Sequence, residues 1–213
     1  NMQILSHRGL WTTAEEKNSL QAFCQSFSAG FGTETDVRDY CGELVISHDI
    51  PHQGCLLLRD FFELFVSYDP LLPLALNIKS DGLAETLKNL LREYNVHNYF
   101  CFDMSVPDML SYISAGVNVF ARLSEFECEN SLLSQVQGIW LDNFINDQCD
   151  GERIQRLIVR GLPVCCVSPE LHQRDPAEYW QQLRKVAGGL PVTDALMLCT
   201  DVPDQAREVF REH

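Results

Sequence analysis

No apolar run in this chain approaches the roughly 20 residues that a membrane-spanning helix needs, which argues against a helical membrane protein. Basic residues are scarce, with 16 Lys and Arg against 30 Asp and Glu and a net charge of −14. That balance argues against a nucleic-acid backbone or an anionic membrane surface as the main partner. It leaves a phosphate substrate open, because a bound divalent cation reverses the local field. A basic and apolar leader is missing, since Met2 runs straight into a strand-like stretch, so no signal peptide is expected. Asn1, ahead of the methionine, is expected to be a cloning remnant. A disulfide framework is missing too. Nine cysteines is an odd count, Cys165 and Cys166 are adjacent, and most lie inside apolar runs. A reducing, cytoplasmic setting is therefore expected. Internal repeats, low-complexity tracts and linkers are absent, so the chain reads as a single domain over residues 1–213 with ample material for a core. Its oligomeric state is not legible.

What is present is an alternation of short apolar runs with amphipathic segments, the pattern of an α/β protein with a parallel sheet. Eight strands are expected at Gln3–Ser6, Gly32–Val37, Leu74–Ile78, Tyr99–Phe102, Val117–Leu123, Gly138–Leu141, Pro163–Val167 and Ala195–Cys199. A helix is expected over Ser19–Ala29, with Leu20, Phe23 and Phe27 on one face and Gly30 as its stop. Pro107, Pro176 and Pro203 fall near helix starts, where a missing amide costs little. Tyr40-Cys41-Gly42-Glu43 has turn character, so Glu43–His48 is expected to return as a short strand beside the Glu34–Val37 run. Eight βα units suggest a (β/α)8 TIM barrel, with an open doubly wound sheet as the alternative. Polar residues at nearly every strand end favour the barrel, which gathers those ends at one mouth.

The chemistry-bearing residues are concentrated early. Glu34 and Asp36 share one face of a strand, because side chains alternate with period two. Paired carboxylates repel unless a cation or proton lies between them. Oxygen donors of this kind suit Mg²⁺, Ca²⁺ or Mn²⁺; the alternative is a solvated strand end. His7, directly after an apolar strand, can exchange a proton near neutral pH, and Arg8 can fork onto phosphate oxygens. Gly9 allows close backbone approach to a ligand. In His48-Asp49 the carboxylate can orient the imidazole. Each histidine, taken alone, reads more readily as a structural residue; the combination is what points to chemistry.

Together these stretches resemble the glycerophosphodiester phosphodiesterase family, within the phosphatidylinositol phospholipase C-like superfamily of barrels. The resemblance rests on Ile4-Leu5-Ser6-His7-Arg8-Gly9, on Asn18-Ser19 with Ala22-Phe23, on Gly32-Thr33-Glu34-Thr35-Asp36-Val37-Arg38 and on Leu44-Val45-Ile46-Ser47-His48-Asp49. These are similar to that family's H-R-G, E-N-(S/T), E-x-D and H-D motifs, in the same order. More thinly, Asn77-Ile78-Lys79, Phe102-Asp103 and Thr200-Asp201-Val202-Pro203 resemble its later strand ends. The resemblance implies His7 and His48 as the acid/base pair, Glu34, Asp36 and Asn77 as ligands of one divalent cation (Mg²⁺ or Ca²⁺), and Arg8 and Lys79 as phosphate contacts.

Three departures stand out. Asn77 occupies the position of a ligand glutamate, which removes one negative charge. Lys17 stands where a glutamate usually precedes the asparagine. Only about thirty residues separate His48 from Lys79, so the loop after the second strand is shortened and glycerol specificity is not implied. Further along, Arg122 can meet a phosphate or pair with Glu125 or Glu127. Glu170 or His172, in Ser168-Pro169-Glu170-Leu171-His172, can contact a leaving group or lie in a solvated loop. Trp140 is expected in the core, and Asp103 and Asp201 are expected to hold strand ends together. The expectation is metal-dependent hydrolysis of a small soluble phosphodiester, glycerophosphodiester-like, to an alcohol and a phosphomonoester. The alternatives are a sugar or polyol phosphodiester of surface-polysaccharide metabolism, a non-catalytic barrel binding phosphoryl ligands, and a lyase forming a cyclic phosphate.

Overall fold

The apolar runs form strands buried on both faces, as a parallel sheet covered by helices requires. The computed structural model describes residues 2–211; Asn1 lies outside them. The strands are β1 (Gln3–His7), β2 (Gly32–Tyr40), β3 (Glu43–Ile46), β4 (Leu74–Ile78), β5 (Tyr99–Phe102), β6 (Phe120–Leu123), β7 (Gly138–Leu141), β8 (Val164–Val167) and β9 (Leu196–Thr200). The helices are α1 (Leu20–Ser28), α2 (Leu58–Tyr68), α3 (Ala84–Glu93), α4 (Val106–Ala115), α5 (Gly151–Val159), α6 (Ala177–Gly188) and α7 (Pro203–Phe210). The sheet order is β5-β4-β2-β1-β9-β8-β7-β6, with β3 paired to β2 outside that path. Leaving β3 aside, the strands succeed one another in sequence order along β5-β4-β2-β1 and again along β9-β8-β7-β6, with β5 and β6 at the two ends, and the direction never reverses as it does at the switch point of a doubly wound sheet. The fold is a (β/α)8 barrel.

The described residues divide into two compact units, Ser6–Val119 and 2–5 with 120–211. In the first, β2, β4 and β5 run parallel, with Asp36 opposite Asn77 and Asn77 opposite Phe102. β3 returns antiparallel on β2, as expected, with Val37 opposite Ile46. Beyond β5, the Cys101 amide donates to the Asn118 carbonyl over 2.9 Å, and Cys101 bridges Val119 in parallel. Helices α1 and α2 meet through aromatic rings, with Phe23 edge-on to Phe61 at 4.6 Å between centroids. Ser19 starts α1 by accepting from the Ala22 amide.

In the second unit β6 to β9 are consecutive parallel neighbours, and Trp180 of α6 packs edge-on against Phe210 of α7. β6 starts at Phe120 rather than at the expected Val117, because the preceding residues finish α4. Gly116 adopts φ 78° and the Val117 amide donates to Tyr112 O over 3.0 Å, the bonds of a glycine-stopped helix end. Trp140 is buried, as expected. All nine cysteines are unpaired, and no helix among the described residues is long and apolar enough to cross a membrane.

Candidate active site

The site is built on the ends of β1 and β4 and the middle of β2, all within the Ser6–Val119 unit. β1 ends at His7, and the chain then turns sharply through Arg8 (φ 62°) and Gly9 (φ 89°). The reason for glycine at position 9 is packing on α1. A Cβ there would lie 2.7 Å from Ala22 Cβ and 2.9 Å from the Ala22 carbonyl carbon, and the Leu10 amide donates to Ala22 O. The close approach expected of Gly9 is therefore made to a helix of the protein itself. This turn brings the Asn18 amide within 2.9 Å of Arg8 O.

On β2, Glu34 and Asp36 are almost wholly buried, at 2% and 1% exposure, although side chains of this kind are rarely buried unless partnered. Asp36 accepts from Asn18 Nδ2 over 3.0 Å and has two cationic neighbours, Arg8 with Nε at 3.3 Å and Lys79 with Nζ at 3.8 Å. The Asp36 carboxylate only accepts, which fixes the Asn18 nitrogen toward it, and Thr35 Oγ1 then donates to Asn18 Oδ1 over 2.8 Å. Glu34 Oε2 lies 3.3 Å from His7 Nε2. Burial, with the Asp36 charge alongside, pushes the Glu34 carboxyl well above the ordinary carboxylate range; Arg8 and Lys79 oppose that rise and Asp103 adds to it.

Two oxygens in this cluster are buried without a hydrogen-bond partner, Glu34 Oε1 and Asn77 Oδ1. Orphaned acceptors are costly in a folded protein and call for an explanation. Asn77 is in register with Asp36, and its amide nitrogen donates to Asp103 Oδ2 over 3.0 Å. Among the described residues no three His, Cys, Asp or Glu side chains group as a metal cage. A cation here would take two carboxylates and the Asn77 carbonyl, an all-oxygen set that suits Mg²⁺ or Ca²⁺. The orphaned oxygens fit such an ion.

Of the residues expected from sequence, His7, Arg8, Glu34, Asp36, Asn77 and Lys79 come together. His48 is attached through its backbone. The Ser47 amide donates to Asp36 O over 3.1 Å, and Arg38 donates to His48 O over 2.9 Å. Its ring is 43% exposed, with Nδ1 3.1 Å from Asp49 Oδ1. Asn18 and Asp103 join the cluster without having been singled out for it, since only their neighbours in the folded chain reveal what they bind.

Arg122 and Glu170 belong to the other unit, and each has a protein partner there. Arg122 Nε lies 2.8 Å and 3.0 Å from the two carboxylate oxygens of Glu127, the internal pair weighed above. Glu170 accepts from the Thr200 hydroxyl, its second oxygen is buried without a partner, and burial pushes its carboxyl up. His172 Nε2 is 2.7 Å from Asp142 Oδ1, with the Phe144 ring 5.2 Å away.

No family model matches the sequence, and no curated protein matches it. Solved structures do. A glycerophosphodiester phosphodiesterase from Parabacteroides distasonis superposes with TM-score 0.71 at 14% identity, over 99% of this chain and 97% of the other. A phosphodiesterase from Oleispira antarctica in complex with the product sn-glycerol-3-phosphate gives 0.70 at 14% identity, over 99% and 97%. The chain has the fold of the glycerophosphodiester phosphodiesterases. A Ca²⁺-dependent phosphatidylinositol-specific phospholipase C from Streptomyces antibioticus gives 0.60 at 11% identity, over 98% and 96%, so this glycerophosphodiester phosphodiesterase fold extends, with lower similarity, to that enzyme.

Proposed function

We propose that the protein hydrolyses a small phosphodiester, with a glycerophosphodiester as the default substrate, to an alcohol and a phosphomonoester. The observation that carries this reading is the pair of orphaned buried oxygens, Glu34 Oε1 and Asn77 Oδ1, on neighbouring strands beside His7, Arg8 and Lys79. The fold shared with phosphodiesterases, one of them bound to sn-glycerol-3-phosphate, supports the substrate class.

Glu34, Asp36 and Asn77 would hold one divalent cation, Mg²⁺ or Ca²⁺. When bound, such an ion screens the charge of the non-bridging phosphate oxygens. Arg8 and Lys79 offer the phosphate two further positive charges from the Asp36 side. His7 and His48 form the acid/base pair: one takes a proton from water as its oxygen attacks phosphorus, and the other gives a proton to the alcohol oxygen as the P–O bond breaks. Asp49 engages Nδ1 of His48, which leaves Nε2 for the substrate. The nine unpaired cysteines support a reducing, cytoplasmic location.

The test is turnover of bis(p-nitrophenyl) phosphate and of glycerophosphodiesters, with and without Mg²⁺, Ca²⁺ and Mn²⁺, followed by phosphorus NMR of the product. A phosphomonoester formed only with a metal supports the proposal. A cyclic ester moves the reading to the lyase, and phosphate-ligand binding without turnover for any metal moves it to a non-catalytic binding barrel.

A further inference from the structure

A carboxylate oxygen only accepts hydrogen bonds, so the Asn77 side chain must present its NH2 to Asp103, as it does over 3.0 Å. That contact leaves Oδ1 as the remaining polar atom of the amide, and Oδ1 is the orphaned oxygen. Asn77 is 7% exposed, and Oδ1 itself is shut off from bulk solvent. With the amide flipped, an NH2 group would replace the oxygen there, and NH2 has no lone pair for a cation. The contact to Asp103 therefore decides whether position 77 can be a ligand at all.

The backbone at Asp103 agrees with this role. Asp103 directly follows β5, and Phe102 is in register with Asn77. The residue adopts φ 70°, a left-handed conformation disfavoured for most side chains but tolerated by Asp and Asn. With a cation bound, Glu34 and Asp36 would contribute two charges to the cluster, and the neutral amide at position 77 contributes none. A carboxylate one hydrogen bond behind that amide returns a third charge to the neighbourhood and strengthens the bond that fixes the amide.

Resting on the cation reading above, we propose that Asp103 is a positioning residue of the cation site. It locks the Asn77 amide in the orientation that offers Oδ1, and it carries, just past the end of β5, the negative charge that position 77 on β4 lacks.

The test is calorimetric titration of Mg²⁺, Ca²⁺ and Mn²⁺ into the cation-free protein, alongside its thermal midpoint. Asp103→Asn keeps the shape and tolerates the backbone angle, but it removes the charge and lets the amide at 77 flip. Affinity is expected to fall about 10–100-fold, the usual range for partners that orient metal ligands. The exchange Asn77→Asp with Asp103→Asn reverses the hydrogen bond, the amide now at 103 donating to the carboxylate now at 77, and is expected to return affinity to the wild-type range. If Asp103→Asn does not fold, Asp103→Gly, at home at φ 70°, takes its place. Wild-type affinity in the single variant overturns the proposal, as does a folded exchange variant that fails to recover. Either result leaves the proposed hydrolase intact if the wild type binds the ion. A wild type that binds none of the three ions overturns this proposal together with the cation reading on which it rests.

Discussion

Asn18 Nδ2 donates to Asp36 Oδ2 over 3.0 Å while Asn18 Oδ1 accepts from Thr35 Oγ1. Asn18 thereby satisfies a nearly inaccessible carboxylate and a fully buried hydroxyl with one amide. Asn18→Ala is expected to lower stability by about 1–3 kcal/mol, the cost of stranding buried polar groups. Urea denaturation reads that loss. Asn18→Asp is expected to be worse, because it sets a second carboxylate against Asp36, and a divalent cation should narrow the gap between the two variants.

Gly9→Ala tests the turn that carries His7 and Arg8. The new methyl would meet Ala22 Cβ at 2.7 Å, at a φ of 89°, so a loss of about 1–3 kcal/mol or more is expected. Adding Ala22→Gly should restore only part of the thermal midpoint. It removes the methyl contact but leaves the Ala22 carbonyl carbon and oxygen at 2.9 Å and 3.0 Å.

Burial holds the Glu34 carboxyl well above the ordinary carboxylate range. Its folded value exceeds its unfolded value, so between the two the folded state binds more protons than the unfolded state. Stability of the cation-free protein should then fall as pH rises across that window. A cation favours the ionised carboxylate, so affinity should rise with pH over the same window, with proton release on binding. Thermal midpoints against pH in chelator, and calorimetry in two buffers of different ionisation enthalpy, check both signs. Glu34→Gln should flatten the first profile.

His7→Ala and His48→Ala are each expected to lower kcat about 10²–10⁴-fold, the usual worth of a general acid or base. Full turnover in either variant would remove that histidine from the proposed pair. The two should separate on cation affinity. His7 touches Glu34 and its loss should alter binding, whereas His48 touches Asp49 and its loss should leave binding unchanged.

Glu170→Gln is expected to raise stability modestly at neutral pH, because burial raises the carboxyl and ionising it in the fold has a cost. With a folded value above the unfolded one, the benefit over wild type should disappear below the ordinary carboxylate range. Thermal midpoints of both proteins at neutral and acid pH read the difference.

By itself, the sequence determined the alternation of strands and helices, because most core strands are short apolar runs, with the polar β2 the exception, and the helices carry apolar stripes. It determined which side chains share a strand face, since period two sets Glu34 beside Asp36. The resemblance in motif order grouped His7, Arg8, Asn77 and Lys79 with that pair, and the fold brings them near one another. Where strands began was less legible: Val117 looks like strand but completes the end of α4, which stops at Gly116. Only the tertiary structure decided the partners. Asn18 reaches Asp36 and Asp103 reaches Asn77 across stretches of chain that no periodicity links, and Arg122 meets Glu127 rather than staying open. A hydrogen bond depends on where two atoms come to rest after the sheet has formed. That is why the chemistry of this site was readable residue by residue, and the geometry that orients it was not.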